Sequence, residues 1–177
     1  SSPGEFENYG IFIDERGEIS GEYLKQHPVP FGEYIPFRKY LDWIPPLSLV
    51  PRDMVRGTQQ QVFTTNKNEI KISPVISFEG SFDRYIRRSV VQGAEVVVIL
   101  TNQASYGESG MSDQFILMSR ANAISNNRDI AHAAITGKSA FISGIDGDIY
   151  SSSGLFTDAV LTDEIKTSNK LTLYTRW

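Results

Sequence analysis

Three stretches of this sequence combine residue types able to do chemistry. The first surrounds Lys25, in YLKQHPVPFGEY. A lone lysine in such a place is ordinarily a solvated charge. Glu33, in the same irregular segment, changes that expectation, because a carboxylate beside a half-buried ammonium holds it charged and oriented. The second is Ile76-Ser77-Phe78-Glu79-Gly80, between an apolar run and a helical pattern. Side chains at a strand-to-helix junction protrude above the sheet and the next backbone N–H groups turn into the crevice. A hydroxyl there, with a carboxylate two residues on, can present a nucleophile. Capping of the following helix by Ser77 and Glu79 is the commoner use of the same pair. The third is Thr101-Asn102-Gln103-Ala104-Ser105-Tyr106-Gly107. It is either a ligand-binding loop at the carboxyl end of a strand or a polar turn that satisfies its own backbone. His132, among alanines, reads as a core histidine rather than a catalyst.

The surrounding pattern supplies the elements that must position these residues. Residues 9–14 (YGIFID) and 18–23 flank Glu15-Arg16-Gly17 and predict a hairpin with glycine at the positive-φ position. Residues 25–51 hold six of the eight prolines and cannot form one regular element. A segment that long is usually functional, and a lid is one form it takes. Within it, residues 37–44 suit two helical turns with Phe37, Tyr40, Leu41 and Ile44 on one face. Residues 70–78 (IKISPVISF) predict a buried strand. Phe82, Ile86 and Val90 mark a helix over residues 82–92 that stops near Gly93. Residues 96–100 (VVVIL) have the pattern of a central strand covered on both faces. A second helix is expected over residues 111–126, with Phe115, Met118 and Ile124 inward. Residues 130–135 and 140–145 predict further strands, the second turning through Asp146-Gly147 into residues 148–150, and residues 159–165 predict a last one. Strand and helix alternate in the middle and hairpins sit at the ends, so the fold class is α/β with a mixed sheet and flanking helices.

Composition narrows the function. The chain has 177 residues, 17 Lys/Arg against 21 Asp/Glu, and no cysteine. No polybasic field exists for a nucleic-acid backbone. Disulfides, thiolate metal sites and thiol nucleophiles are absent, and two histidines make a zinc site improbable. The strongly apolar run at residues 96–100 is far shorter than the roughly 20 residues of a membrane span.

The three stretches, taken in order, resemble the nitrilase superfamily, and within it the apolipoprotein N-acyltransferase branch. YLKQHPVPFGEYIP is similar to that branch's Y-x-K-x-H-x-V-P-F-G-E-Y-x-P segment. Val75 to Glu79 sits where the family has an apolar pair followed by C-[YF]-E. Thr101 to Gly107 resembles its T-N-x-x-[WS]-[FY]-G loop, Gln114 to Arg128 its Q-x-x-x-M helix, Thr136-Gly137-Lys138-Ser139-Ala140 its T-G-x-S-A strand entry, and Gly144 to Ile149 its D-G hairpin. Gly154-Leu155-Phe156-Thr157 is similar to actinobacterial members.

The resemblance implies a four-layer αββα sandwich of which residues 1–177 are the C-terminal part, with a lid-like insertion at about residues 34–56. It also implies a Glu-Lys-Cys triad on the extracytoplasmic side of a multi-pass cell-membrane protein. In that family a thiolate takes an acyl chain from a phospholipid and passes it to the N-terminal amine of a diacylglyceryl-cysteine lipoprotein, with no cofactor and no metal. Carried across, Lys25 is the triad lysine, Glu33 supports it and Ser77 holds the nucleophile position. Phe78, through its N–H, together with Glu79, Asn102, Tyr106 and Trp43, belongs to the oxyanion and substrate side. Two departures follow. Ser77 replaces cysteine, and a hydroxyl is far less acidic than a thiol, whose unperturbed pKa is about 8.5. The family's general-base glutamate lies well upstream of the lysine, and neither Glu5 nor Glu7 has its context. The chain is therefore expected to be nearly inactive. The alternative is a catalytically silent domain that binds lipid, a membrane surface or a polyprenyl-phosphate mannosyltransferase. A soluble amidase is a third reading, against which the PFGEYIP lid speaks.

Overall fold

A computed structural model of the chain describes residues 4–41 and 43–177. Gly17, at φ +80°, lets the chain reverse between β1 (Tyr9–Ile13) and β2 (Ile19–Leu24), which pair antiparallel. Asp14 Oδ1 holds the turn by accepting the N–H groups of Arg16 and Glu18. The proline-rich segment that follows is mostly irregular. In place of two helical turns it forms one, α1 (Arg38–Leu41), and then a 3-10 turn at Pro45–Leu49. Pro45 forces the break, since the residue before a proline is driven out of the helical region, and Ile44 is extended at φ −84°, ψ 111°. Asp42, inside the expected helix, lies outside the described residues. Arg38 anchors this segment: its guanidinium bonds both carboxylate oxygens of Asp53 and the carbonyl of Val50.

The main sheet has six strands in sequence order: β3 (Phe63–Thr64), β4 (Lys71–Ile76), β5 (Val96–Asn102), β6 (Asp129–Ile135), β7 (Ala140–Ile142) and β8 (Ile149–Ser152). The β4–β5 and β5–β6 pairs are parallel and the outer pairs are antiparallel. The crossovers are helices α2 (Asp83–Val91) and α3 (Met111–Asn126), which cover one face. There Val75, Val97, Ile99 and Ile130 pack against Tyr85, Ile86, Val90, Ile116 and Ala123 as the core. The opposite face carries Pro74, Ile76 and Leu100. The hairpin crosses it at Gly10, where a Cβ would meet those three side chains at 3.6–3.7 Å. The layers are thus helices, main sheet and a two-stranded second sheet.

Four expectations need correction. The stretch at residues 96–100 is not covered on both faces, because the hairpin leaves Leu100 36% exposed. In α3, Met118 and Ile124 point outward. The inner face carries Phe115 with Ser112, Ile116, Ser119, Asn122, Ala123 and Asn126. Buried amides have partners there, Asn122 Nδ2 on the Gly80 carbonyl at 2.9 Å and Asn126 Nδ2 on Asp83 Oδ1 at 2.6 Å, so polar side chains take inward positions at little cost. The strand expected over residues 140–145 ends at Ile142, where Ser143 opens the turn that Gly147 closes at φ +73°. No strand forms over residues 159–165. Val160 is 94% exposed, and Lys166 N–H docks this stretch on the Asp129 carboxylate instead of on a strand edge.

The chain ends in a single turn, α4 (Leu173–Arg176). Arg128, 1% exposed, ties that end beneath the sheet. Its guanidinium donates to the carbonyls of Ala94, Asn126, Asn127 and Lys170, and to Ser168 Oγ.

Candidate active site

At the end of β4 the backbone turns into a 3-10 segment, Ser77–Ser81, and Ser77 itself takes φ +53°. A serine held in the left-handed region costs about 1–3 kcal/mol, and such strain persists only where the surroundings impose it. The surroundings here are Glu79 and its donors. Glu79 is fully buried. Its Oε1 accepts the N–H groups of Gln26 and His27, and its Oε2 accepts Ile76 N–H at 2.9 Å and the Tyr23 hydroxyl at 2.8 Å. Burial pushes its pKa up, while the four hydrogen bonds pull against that shift. One carboxylate therefore ties the residues after Lys25 to the residue before Ser77. Neither Ser77 nor Glu79 caps α2, whose first turn has no side-chain cap. Glu79 stabilises the elbow instead, and among the described residues the Ser77 hydroxyl has no hydrogen-bond partner.

The elbow opens on a cleft of about 580 Å³ at the carboxyl ends of the parallel strands, as open α/β sheets favour. Ser77, Glu33 and Asn102 line it with Ile76, Leu100 and Ile135. Lys25 is fully buried and meets both Glu33 carboxylate oxygens at 2.7 Å. Glu33 Oε2 also accepts Val29 N–H, so the segment folds around its own ion pair. Gly57 locks Lys25 from behind. Its N–H donates to the Lys25 carbonyl, and a Cβ there would stand 2.0 Å from the Leu24 carbonyl oxygen. Among the described residues, Glu33 is the only carboxylate lining the cleft, and the ammonium already occupies it.

The other expected site residues scatter. The Phe78 ring packs with His27 and Phe82 at centroid distances of 5.6 and 4.9 Å. Asn102 lines the cleft and also bonds its own turn, accepting Ala104 N–H at 3.0 Å. Tyr106 leans on Phe115, at 5.8 Å between centroids, and is not part of the lining. Trp43, 79% exposed, donates to the Tyr40 carbonyl and stands outside the cleft. Sequence reasoning missed Tyr23 and Gln60. Both are buried, and they stack hydrogen bonds under Glu79, with Gln60 Nε2 on the Pro74 carbonyl. The inward position of Tyr23 on β2 was the available signal for the first of them.

His132 faces Ser119 Oγ at 3.0 Å, and burial lowers its pKa to about 4. A histidine depressed in the folded state stabilises the fold above its unfolded pKa of about 6.5 and loses that contribution as pH falls through the folded value. Between pH 7 and about 4.5, unfolding monitored by circular dichroism should show a loss of about 2–3 kcal/mol that His132→Gln lacks. Equal acid sensitivity in both proteins would assign the effect to other groups.

Comparison with known proteins gives a consistent likeness. The carbon-nitrogen hydrolase family model matches residues 2–170. An apolipoprotein N-acyltransferase of Geobacter metallireducens is 32% identical over 96% of this chain and 32% of its own length. One from Haemophilus ducreyi is 33% identical over 86% of this chain and 30% of its own length. The chain thus spans about a third of the curated relatives it matches. Among solved structures, an amidase from Nesterenkonia sp. AN1, carrying the acetamide moiety of fluoroacetamide on its active-site cysteine, superposes with a TM-score of 0.63. The superposition covers 86% of this chain and 53% of the amidase at 19% identity, which shows a shared nitrilase-superfamily fold.

Proposed function

Since this chain belongs to the carbon-nitrogen hydrolase family, we propose that its cleft is the acyl-transfer site of a protein of the apolipoprotein N-acyltransferase type. In this reading residues 1–177 are the C-terminal part of one such domain, on the outer side of a cell membrane. The observation that carries it is the strained elbow: Ser77 at φ +53°, with an unengaged hydroxyl, shares a cleft with Glu33, whose carboxylate holds the ammonium of the buried Lys25. The acyl donor is a phospholipid and the acceptor a lipoprotein N-terminal amine. The nucleophile attacks the ester carbonyl, the ester C–O bond breaks and lysophospholipid leaves. The amine then displaces the nucleophile from the acyl group. Lys25 supplies positive charge for the oxyanion, Glu33 keeps it aimed, and Phe78 N–H is the second donor. The exposed Phe37, Tyr40, Trp43 and Leu49 form the apolar rim by which the lipid chain enters.

Among the described residues no free carboxylate lines the cleft to take the proton of Ser77, because Glu33 is engaged by Lys25, whereas a thiol is already a few per cent thiolate near neutrality. Ser77 is thus a weak nucleophile here, and that favours a second reading, a silent domain that binds lipid or a membrane-bound partner such as a polyprenyl-phosphate mannosyltransferase. Ser77→Cys decides between them. The protein is incubated with phospholipid in its membrane and analysed by mass spectrometry. An acyl adduct on the introduced thiol, with none on Ser77, supports the acyltransferase reading. No adduct on either, with lipid still bound, supports the silent domain.

A further inference from the structure

Away from the candidate active site, a cleft of about 510 Å³ lies between α2 and α4, lined by Asp83, Arg84, Arg87, Arg88, Tyr174 and Trp177. Three guanidinium groups face it. Among the described residues lining it, the one side-chain carboxylate is already engaged, since Asp83 Oδ1 accepts Asn126 Nδ2 at 2.6 Å and its Oδ2 accepts the Tyr174 hydroxyl at 2.8 Å. Among the described residues no ion pair includes Arg84, Arg87, Arg88 or Arg176. In a chain of net charge −4, this concentration of unpaired positive charge is not a reflection of composition. The arrangement is also partly fixed. Arg84 lies 4.9 Å over the rings of Phe82 and Tyr85, and its Nη2 donates to His27 Nδ1 at 2.9 Å. Arg87 Nε donates to the Tyr174 carbonyl at 3.4 Å.

Apolar groups stand beside the charges. Trp177 is 95% exposed, Leu173 76% and Tyr174 53%. Exposed indole and phenol rings next to arginines match the headgroup layer of a bilayer, where the rings sit at the interface and the guanidiniums meet lipid phosphates. An acidic protein partner would also satisfy the charges, and it is one outcome of the test. We propose that this cleft is a docking site for anionic phospholipid, seating headgroup phosphates on Arg84, Arg87 and Arg88 with Trp177 inserted alongside. The proposal is independent of the acyl-transfer reading.

The test uses the full chain with vesicles of phosphatidylglycerol in phosphatidylcholine against phosphatidylcholine alone. Trp43→Phe leaves Trp177 as the one indole, so its fluorescence reports this site and not the apolar rim. The expected result is a blue shift and co-sedimentation that rise with the phosphatidylglycerol fraction and fall with salt. Arg87→Gln with Arg88→Gln should weaken partitioning by about 30-fold, with an unchanged circular dichroism spectrum confirming the fold. Equal binding to both vesicle types, undiminished binding of the double variant, or binding of poly-glutamate without binding of vesicles would overturn it. An acyl adduct on Ser77→Cys in detergent micelles, with or without the arginine substitutions, reports separately on the acyl-transfer reading.

Discussion

Glu79→Ala should unfold the elbow and with it most of the molecule's stability. The substitution removes the acceptor of four donors at once, the Ile76 N–H and the Tyr23 hydroxyl in buried surroundings and the N–H groups of Gln26 and His27 in half-buried ones. A buried donor without a partner costs about 1–3 kcal/mol, and a cavity adds to that. The sum is about 4 kcal/mol, a large part of the 5–15 kcal/mol that a typical domain possesses. Urea denaturation checks it. A loss below about 1 kcal/mol would mean that water replaces the carboxylate, and Glu79 would then not be what holds Ser77 at its positive φ.

The second large effect concerns charge. In a Ser77→Cys background, Lys25→Ala should lower the rate of acyl-adduct formation by about 10²–10³-fold, the cost of removing one preorganised oxyanion donor. The same change also leaves the Glu33 carboxylate, which lines the cleft, without its cation. Lys25→Arg should recover little, because the bulkier guanidinium has to fit a fully buried position and its two-pronged pairing with Glu33 differs from that of a compact ammonium. Single-turnover mass spectrometry of the adduct reads both variants. If Lys25→Ala acylates at the parental rate, the lysine is a structural counter-ion of Glu33 and no part of the chemistry.

The sheet was legible in sequence wherever burial is apolar. β5 and the α2 spacing follow from runs that have only one reasonable use, and Gly17 and Gly147 announce their turns. Reading failed where polar groups are buried with partners. Ser119, Asn122 and Asn126 look like a solvent face until His132, Gly80 and Asp83 are known to stand opposite them, so Met118 and Ile124 were expected inside. Residues 159–165 have strand composition, but the chain docks there through Lys166 N–H on the Asp129 carboxylate and not on the open edge of β8. At the candidate site, the proximity of Lys25 and Glu33 followed from their shared segment. The left-handed Ser77 did not, because its conformation is imposed by Glu79 and by chain residues 23–27, about 50 positions away in sequence. Glu79 was read as facing substrate, and its four donors occupy it instead.

Arg128 sets a timetable for assembly. Its side chain emerges from the ribosome 42 residues before Lys170, whose carbonyl is one of its acceptors (170 − 128 = 42). At about 5–20 residues per second, several seconds separate the two. Until then the guanidinium has the carbonyls of Ala94, Asn126 and Asn127 but lacks its two later acceptors, Ser168 Oγ and the Lys170 carbonyl. A nascent chain of this protein therefore passes through a long interval with its strands made and its underside open. During that interval a chaperone that shields apolar strands has the most to offer, and a protease has its best chance.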